Sequence, residues 1–400
     1  MTAKPLAVAP LFRPPVIDLY CGAGGLSLGA ARAGFEVAAG VELDGQALAT
    51  HRANFPVARH LQADVSHISG IDLMLQAGVQ PGTLAGLIGG PPCQGFSVIG
   101  ERDPGDSRNA LFGHFMRLVA ETLPAFFLAE NVPGIAQEKN GAVLRAAMNR
   151  VPSVYSVLPP LRVVGSQFGA PTSRERLFFI GVNTERLSAL DATAFAPPEG
   201  TVTVTVREAL RGLSPVVGLP SEEGVVTWRR VRVLPTGPFF ERVQFCIPPG
   251  VGDRVALKMY RDHRSVNGHV GVAHSPEIAL RYEALAPGRK DPISRSVRLK
   301  LDGYCPTLRA GTGPEKGRRQ AVRPIHPTQP RVITPREAAR LQGFPDWFVL
   351  PNTKWHSFRQ LGNSVSPIVA EGVLSVLFKH VQRQACEDDA RATLAAKIAA

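Results

Sequence analysis

Residues 88–97 read IGGPPCQGFS, which places Cys93 behind two prolines at the end of the apolar run 84–88. Proline fixes φ and carries no amide donor, so Pro91 and Pro92 hold the thiol in place and leave the later loop amides free. A cysteine that only packs needs no such setting, whereas a nucleophile does. The thiolate is the reactive form, and a free thiol with a pKa of about 8.5 is only a few per cent ionised near neutrality. A strand's carboxyl end surrounded by glycine-loop amides favours that anion. A second group of residues suits ligand binding. The stretch VIDLYCGAGGLSLGAARAGF (16–35) reads as strand, glycine-rich turn and helix. Gly22, Gly24 and Gly25 let the backbone turn tightly and approach a ligand. Glu42 follows the second strand, and Asp64 follows a further helix and the short stretch HLQA. Carboxylates at successive strand tips suit an adenosine-containing ligand with hydroxyls and an exocyclic amine. The spacing G-x-G-G differs from the dinucleotide G-x-G-x-x-G, which weighs against nicotinamide or flavin. Cys21 reads as a small packing residue.

Positioning these groups requires a frame. Apolar runs at 16–19, 36–41, 84–88, 125–129 and 177–182 are expected to be buried strands, with helices over 26–33, 45–54 and 110–122. Strand–helix alternation with fully apolar strands predicts an α/β, Rossmann-like domain, a mostly parallel sheet with helices on both faces. From about residue 183 the texture changes to short Val- and Arg-rich segments punctuated by proline and glycine, as expected of a smaller, irregular, strand-rich domain. Helical pattern returns at 334–344, with Thr334 as N-cap, Pro335 at the first helical position and Glu337 completing a capping box. It returns again at 366–384. The expected divisions are a loose arm (1–14), a catalytic and cofactor-binding domain (15–182), a small domain (183–345) with a recognition region over about 183–303, a returning C-terminal segment (346–384), and a frayed helical tail (385–400).

The formal charge is +12, and its distribution is informative. Residues 1–182 carry 14 Lys+Arg against 13 Asp+Glu, while residues 183–400 carry 31 against 20. A basic back half beside a neutral front half points to a polyanionic partner. Five scattered cysteines without a C-x-x-C pair exclude a disulfide framework and a zinc site, and indicate a reducing compartment. Residues 73–100 carry no charge, but ten of them are Gly or Pro, so no membrane helix is expected there. The N-terminus lacks a signal-peptide core, and a cytoplasmic protein is expected.

Seven segments then occur in order: DLYCGAGGLSLG, GGPPCQGFS, ENVPGI, SRERLFFIGV, PTLRAG, REAARLQGFPDWF and RQLGNSVSPIVAEGV. This series resembles the DNA (cytosine-5)-methyltransferases, particularly the bacterial modification type, over roughly residues 15–182 and 304–378. The resemblance implies methyl transfer from S-adenosyl-L-methionine to C5 of a flipped-out cytosine in duplex DNA, through a covalent bond from Cys93 to C6. It makes Glu130 the acid near N3 and Arg176 the donor to the cytosine O2 and the partner of Glu130. Arg174 becomes a contact to the loop or the DNA backbone. Around the cofactor it places Asp18, Tyr20, Gly22, Gly24, Gly25, Glu42, Leu43, Asp64, Val65, Gly90, Pro92, Leu111, Asn363 and Ser364. Glu42 would take the ribose, Asp64 the adenine amine, and Asn363 and Ser364 the methionine end. The segment GERDPGDSRNALF (100–112) resembles the loop that closes over substrate, bringing Gln94, Ser97 and Arg108 toward DNA. The family often has glutamine where this chain has Thr172.

The unmatched stretch of about 120 residues after FFIGVN is where such enzymes place target recognition. Arg229, Arg230, Arg264 and Arg298 are the expected DNA contacts there, alongside Arg232, Arg261 and Arg295. Asn267, Gly268 and His269 could form a groove-facing turn. The expected partner is double-stranded DNA, bound by a monomer, with no metal and no membrane. A cognate restriction endonuclease would act on the same site without direct binding. Three alternatives compete. A tRNA cytosine-5-methyltransferase would share the motifs, but the long basic middle segment favours duplex DNA. A non-catalytic paralogue would be expected to have lost Cys93 or Glu130. An amino-methyltransferase would want an aromatic residue where Cys93 stands.

Overall fold

The computed structural model describes residues 12–92, 110–219, 226–310 and 322–399, with side chains to 397. Cys93, Gln94, Ser97 and Arg108 lie outside the described residues. The first half runs β1 (Pro15–Leu19), α1 (Gly25–Ala33), β2 (Glu36–Glu42), α2 (Gly45–Asn54), β3 (Arg59–Gln62), α3 (Gly70–Ala77), β4 (Gly86–Gly89), α4 (Ala110–Thr122) and β5 (Phe126–Asn131). It continues through α5 (Gly141–Met148), β6 (Tyr155–Val157), β7 (Leu161–Val164) and β8 (Glu175–Asn183). The sheet order is β3-β2-β1-β4-β5-β8-β6, with β7 also paired to β8. The first five strands are parallel neighbours. The sheet is mostly parallel, as expected; the exception is β8, which runs antiparallel to β5 and whose far edge carries β6 and β7, also antiparallel.

Side chains alternate faces along a strand, and the two cores show it. Val16, Phe126 and Leu128 enter one core, while Ile17, Leu19, Phe127 and Ala129 enter the other. Glycines on neighbouring strands make room for the phenylalanine rings. A Cβ on Gly86 would stand 2.3 Å from the Phe126 ring, and one on Gly181 would stand 2.2 Å from the Phe127 ring.

The second half contains α6 (Val206–Leu210), β9 (Trp228–Arg230), α7 (Pro238–Phe240), α8 (Arg254–His263), β10 (Ser265–Asn267), α9 (Pro276–Ala284), α10 (Pro335–Leu341), α11 (Lys354–Asn363) and α12 (Pro367–Ala399). β9 and β10 form a separate antiparallel pair. The start of α10 carries the expected capping box between Thr334 and Glu337. Its arginines are buried: Arg340 grips Asp346 through Nε–Oδ1 (2.8 Å) and Nη2–Oδ2 (2.5 Å), and both side chains are wholly inaccessible. Arg336 donates to the Asn267 carbonyl (2.9 Å), the Asn267 side chain (2.6 Å) and the carbonyls of Pro345 and Phe348. Asn267 and His269 are therefore interior residues, and the 267–269 turn faces α10 rather than a DNA groove.

α12 folds back on α1 at close range, since a Cβ on Gly29 would lie 2.2 Å from the Ala370 Cβ. This helix belongs to the one stretch among the described residues that is long and apolar enough to cross a membrane, and most of that window is buried inside the protein. It continues helical to residue 399, exposed over its last turns. The substitution Gly29→Val should force α1 and α12 apart and lower the unfolding free energy by about 2 kcal/mol in urea titration. Breaking the buried pair with Arg340→Met should cost about 3 kcal/mol in the same assay.

Candidate active site

The reversal of β8 brings two strand ends together. In its register with β5, Glu130 faces Phe178 and Asn131 faces Leu177, so β8 begins beside the carboxyl tip of β5. Arg176 thereby reaches Glu130, Nε to Oε1 at 2.5 Å, with both side chains almost buried. An uncompensated carboxylate at this depth would be costly, and the guanidinium supplies the compensation. The Glu130 carboxylate also lies over the exit of β4, where a Cβ on Gly90 would come within 3.3 Å of Oε2. Asn131 donates from Nδ2 to the Pro91 carbonyl at 3.3 Å and accepts the Val132 amide at 2.8 Å. The backbone leading to Cys93 is thus held by the tip of the neighbouring strand. Reasoning from sequence missed Asn131, although it belongs to the ENV segment.

Arg174 is the residue expected to contact the loop or the DNA backbone. It is only 5% exposed and donates to the Leu308 carbonyl at 3.2 Å. Thr172, two residues earlier, accepts the Arg174 amide and donates to the Cys305 carbonyl at 2.9 Å. Together they tie the start of β8 to the 305–308 segment.

The glycine-rich turn sits at the tip of β1. Gly22 and Gly24 have φ of +54° and +97°, values that favour glycine. Among the described residues, a Cβ on Gly22 would meet only the Tyr20 carbonyl, at 4.0 Å, so they leave the turn as an open shelf. A Cβ on Gly25 would stand 2.1 Å from Ser364 Oγ and 2.3 Å from the Val365 carbonyl. The start of α12 therefore walls one end of the shelf, with Asn363 exposed and Ser364 half-buried there. Tyr20 holds φ of +58°, unusual for an aromatic residue, and its hydroxyl donates to the Leu111 carbonyl at 3.0 Å. Glu42 accepts the amides of Gly22 (3.0 Å), Leu43 (2.9 Å) and Asp44 (3.0 Å). Burial pushes its carboxyl up, and those amides oppose the shift. Asp64 is half-exposed, and bonds from the Ser66 hydroxyl and amide hold its carboxyl below the usual range. Leu43 is 64% exposed beside Glu42 and offers an apolar face. Gly90 and Pro92 are half-buried between the shelf and the β4 exit.

Two of the expected cofactor residues have buried side chains. Val65 is sunk in the core beneath α4. Asp18 has no solvent exposure and accepts the Ser27 hydroxyl, so its side chain lies under the shelf rather than on it.

Among the expected DNA contacts, Arg230 and Arg264 are exposed and line one open depression of about 540 Å³ with Met259, Asp262, His263 and Ser265. Arg229 is half-buried and donates to the Leu219 carbonyl at 3.2 Å. Arg298 has another task. Its guanidinium donates to the carbonyls of Tyr282, Glu283, Leu285 and Pro327, closing the end of α9.

A mostly parallel sheet bearing a glycine shelf, with an acid–guanidinium pair at the neighbouring strand tips, places the protein in the α/β class. A family model described as C-5 cytosine-specific DNA methylase matches residues 15–220 and 259–379, and the chain belongs to that family. It is 37% identical to the type II methyltransferase M.XorII of Xanthomonas oryzae pv. oryzae over 93% of this chain and 86% of that protein. The type II methyltransferase M.DdeI of Desulfomicrobium norvegicum is 27% identical over 90% of this chain and 87% of its own. A crystal structure of a prophage-encoded DNA modification methyltransferase from E. coli superposes with a TM-score of 0.83 at 47% identity, covering 92% of this chain and 99% of that one. The protein is a cytosine-5 DNA methyltransferase of the restriction–modification type.

Replacing Arg176 with Met leaves Glu130 buried without its cation and should lower the unfolding free energy by about 3 kcal/mol. Urea titration of Arg176→Met and Glu130→Gln,Arg176→Met together checks this, because the double variant should recover part of the loss.

Proposed function

We propose that the chain methylates C5 of one cytosine within a short duplex site, using S-adenosyl-L-methionine and a covalent bond from Cys93. The observation that carries this reading is the Glu130–Arg176 pair lying against Gly90, three residues before Cys93. C5 of cytosine is a weak nucleophile until a thiolate adds at C6. That addition places negative charge on the ring, which Glu130 relieves by giving a proton at N3, while Arg176 orients Glu130 and donates to O2. The enamine's C5 then takes the methyl group. Loss of the C5 proton to water and departure of the Cys93 thiolate, with the N3 proton returning to Glu130, restore the aromatic ring. A base stacked in a duplex cannot reach Cys93, so the reading requires base flipping, at a cost of a few kcal/mol.

The residues of the shelf fit the cofactor. Glu42 would hold the ribose hydroxyls, Asp64 the adenine amine, Leu43 an adenine face, and Asn363 with Ser364 the methionine end. When bound, the cofactor supplies an electrophilic methyl on sulfonium. Duplex DNA is the proposed partner, with Arg230 and Arg264 as its exposed contacts. The protein is proposed to act as a cytoplasmic monomer, beside a restriction endonuclease that cuts the same site.

Covalent trapping tests the mechanism. A duplex containing 5-fluorocytosine at the target should form a stable adduct with the wild type and none with Cys93→Ser, and a persisting adduct would place the nucleophile elsewhere. Labelled methyl transfer should appear in plasmid DNA and not in tRNA, and label confined to tRNA would refute the DNA assignment. Glu130→Gln should slow transfer by about 10²- to 10⁴-fold while leaving cofactor affinity unchanged.

A further inference from the structure

Beneath the glycine shelf runs a chain of polar side chains that the reaction just described leaves unused. Ser27, on α1, has its hydroxyl 2.5 Å from Asp18 Oδ2 and 3.0 Å from His51 Nε2. His51 Nδ1 in turn lies 3.0 Å from His60 Nε2. Asp18, Ser27 and His51 are wholly buried, and His60, on the outer strand β3, is half-exposed. His51 is wedged into the shelf's underside. A Cβ on Gly24 would stand 3.0 Å from its ring and one on Gly40 would stand 2.7 Å from it, while Phe55 stacks on it at 4.4 Å.

We propose that His51 is a positioning residue for the methyl donor: through Ser27 it orients Asp18 under the shelf, and the relay lets one proton entering at His60 cancel the Asp18 charge. The inference rests on the cofactor reading above. Two proton arrangements satisfy every contact in the chain. With Asp18 ionised, His60 Nε2–H donates to His51, His51 Nε2–H donates to Ser27, and Ser27 donates to Asp18. With Asp18 protonated, each donor becomes an acceptor and the direction reverses. The two differ by a single proton, which arrives at His60 Nδ1 while the other protons shift along the chain. Neither arrangement needs a charged histidine.

Burial pushes Asp18 up to about 7 and holds His51 and His60 down, to about 3 and 4. Asp18 therefore titrates near neutrality while both histidines stay neutral. Glu42 on β2 is the other carboxylate acting on Asp18, Cys21 lies in the adjoining turn, and Arg52 acts on His60 from α2. The β4 residues beside Asp18 are Ile88 and Gly89, which carry no charge. An ionised Asp18 favours a cationic sulfonium over the uncharged thioether that remains after transfer. Near neutrality this arrangement retains donor and releases product, and the preference fades in acid.

Calorimetric binding of S-adenosyl-L-methionine and S-adenosyl-L-homocysteine at pH 7.5 and 5.5 tests this, and comparison with Asp18→Asn cancels the ligands' own titration. The wild-type preference for the sulfonium should fall about fivefold between the two pH values. Asp18→Asn should show the weaker preference at both. His51→Gln, whose amide can replace Nε2 as a donor to Ser27, should keep the pH-dependent preference, and His51→Leu should lose it. A preference that ignores pH in the wild type, or that survives in Asp18→Asn, overturns this inference while the cofactor reading stands. Failure of the wild type to bind either ligand overturns both.

Discussion

The direction of β8 decides what the active site contains. β1, β2, β3, β4 and β5 run in parallel, so their carboxyl ends share one edge of the sheet, and that edge holds the glycine shelf, Glu42 and Glu130. A sixth parallel strand would have brought its own carboxyl end there and carried Arg176 to the far edge. Because β8 is reversed, its amino end reaches the site, and Arg176 becomes the counter-ion of Glu130. The same reversal puts Thr172 and Arg174 where they can hold the 305–308 segment. One antiparallel pairing thus supplies both the charge partner of the acid and the attachment of the second half of the chain.

That second half is stabilised by arginines more than its composition suggests. Arg331 and Thr334 close on Glu337, Arg340 on Asp346, Arg336 on Asn267 and the carbonyls around it, and Arg242 on Glu371. A small domain with short strands has few ladder bonds to satisfy its backbone, and the forked guanidinium can gather several carbonyls at once. Some of the positive charge counted in residues 183–400 therefore lies inside the protein, with Arg336 and Arg340 fully buried. The charge open to a polyanion is concentrated on fewer residues, among them Arg230 and Arg264.

This explains which features could be read from the sequence. The helix at 45–54 matched to the residue because Asp44 caps its start, and the helix expected at 110–122 matched at its end. The capping box at Thr334 was legible because its chemistry is local. β6 and β7 were missed because three or four residues on a sheet edge carry no periodicity to detect. The orientation of β8 was missed because a fully buried strand looks the same in either direction. The inward bonds of Arg298 and Arg174 are not legible in the sequence, because arginine usually lies outside and only the positions of distant carbonyls show them. The functional series itself was legible since its seven segments keep their order, although they meet in space only after the chain returns.

That return has an energetic consequence. The cofactor shelf takes its floor and carboxylates from residues 18–64 and one wall from residues 363–365, at the other end of the chain. The wall exists only when α12 is seated on α1, where Gly29 allows close approach to Ala370. A ligand on the shelf binds the docked state and not a state with α12 detached, so its binding energy is added to the α1–α12 contact. Tyr20 provides the complementary expense, since its positive φ costs of order 1 kcal/mol and is maintained by the hydroxyl's bond to Leu111. The strained turn is held from α4 on one side and enclosed by α12 on the other. On the proposed function, donor binding and chain closure are two views of one equilibrium.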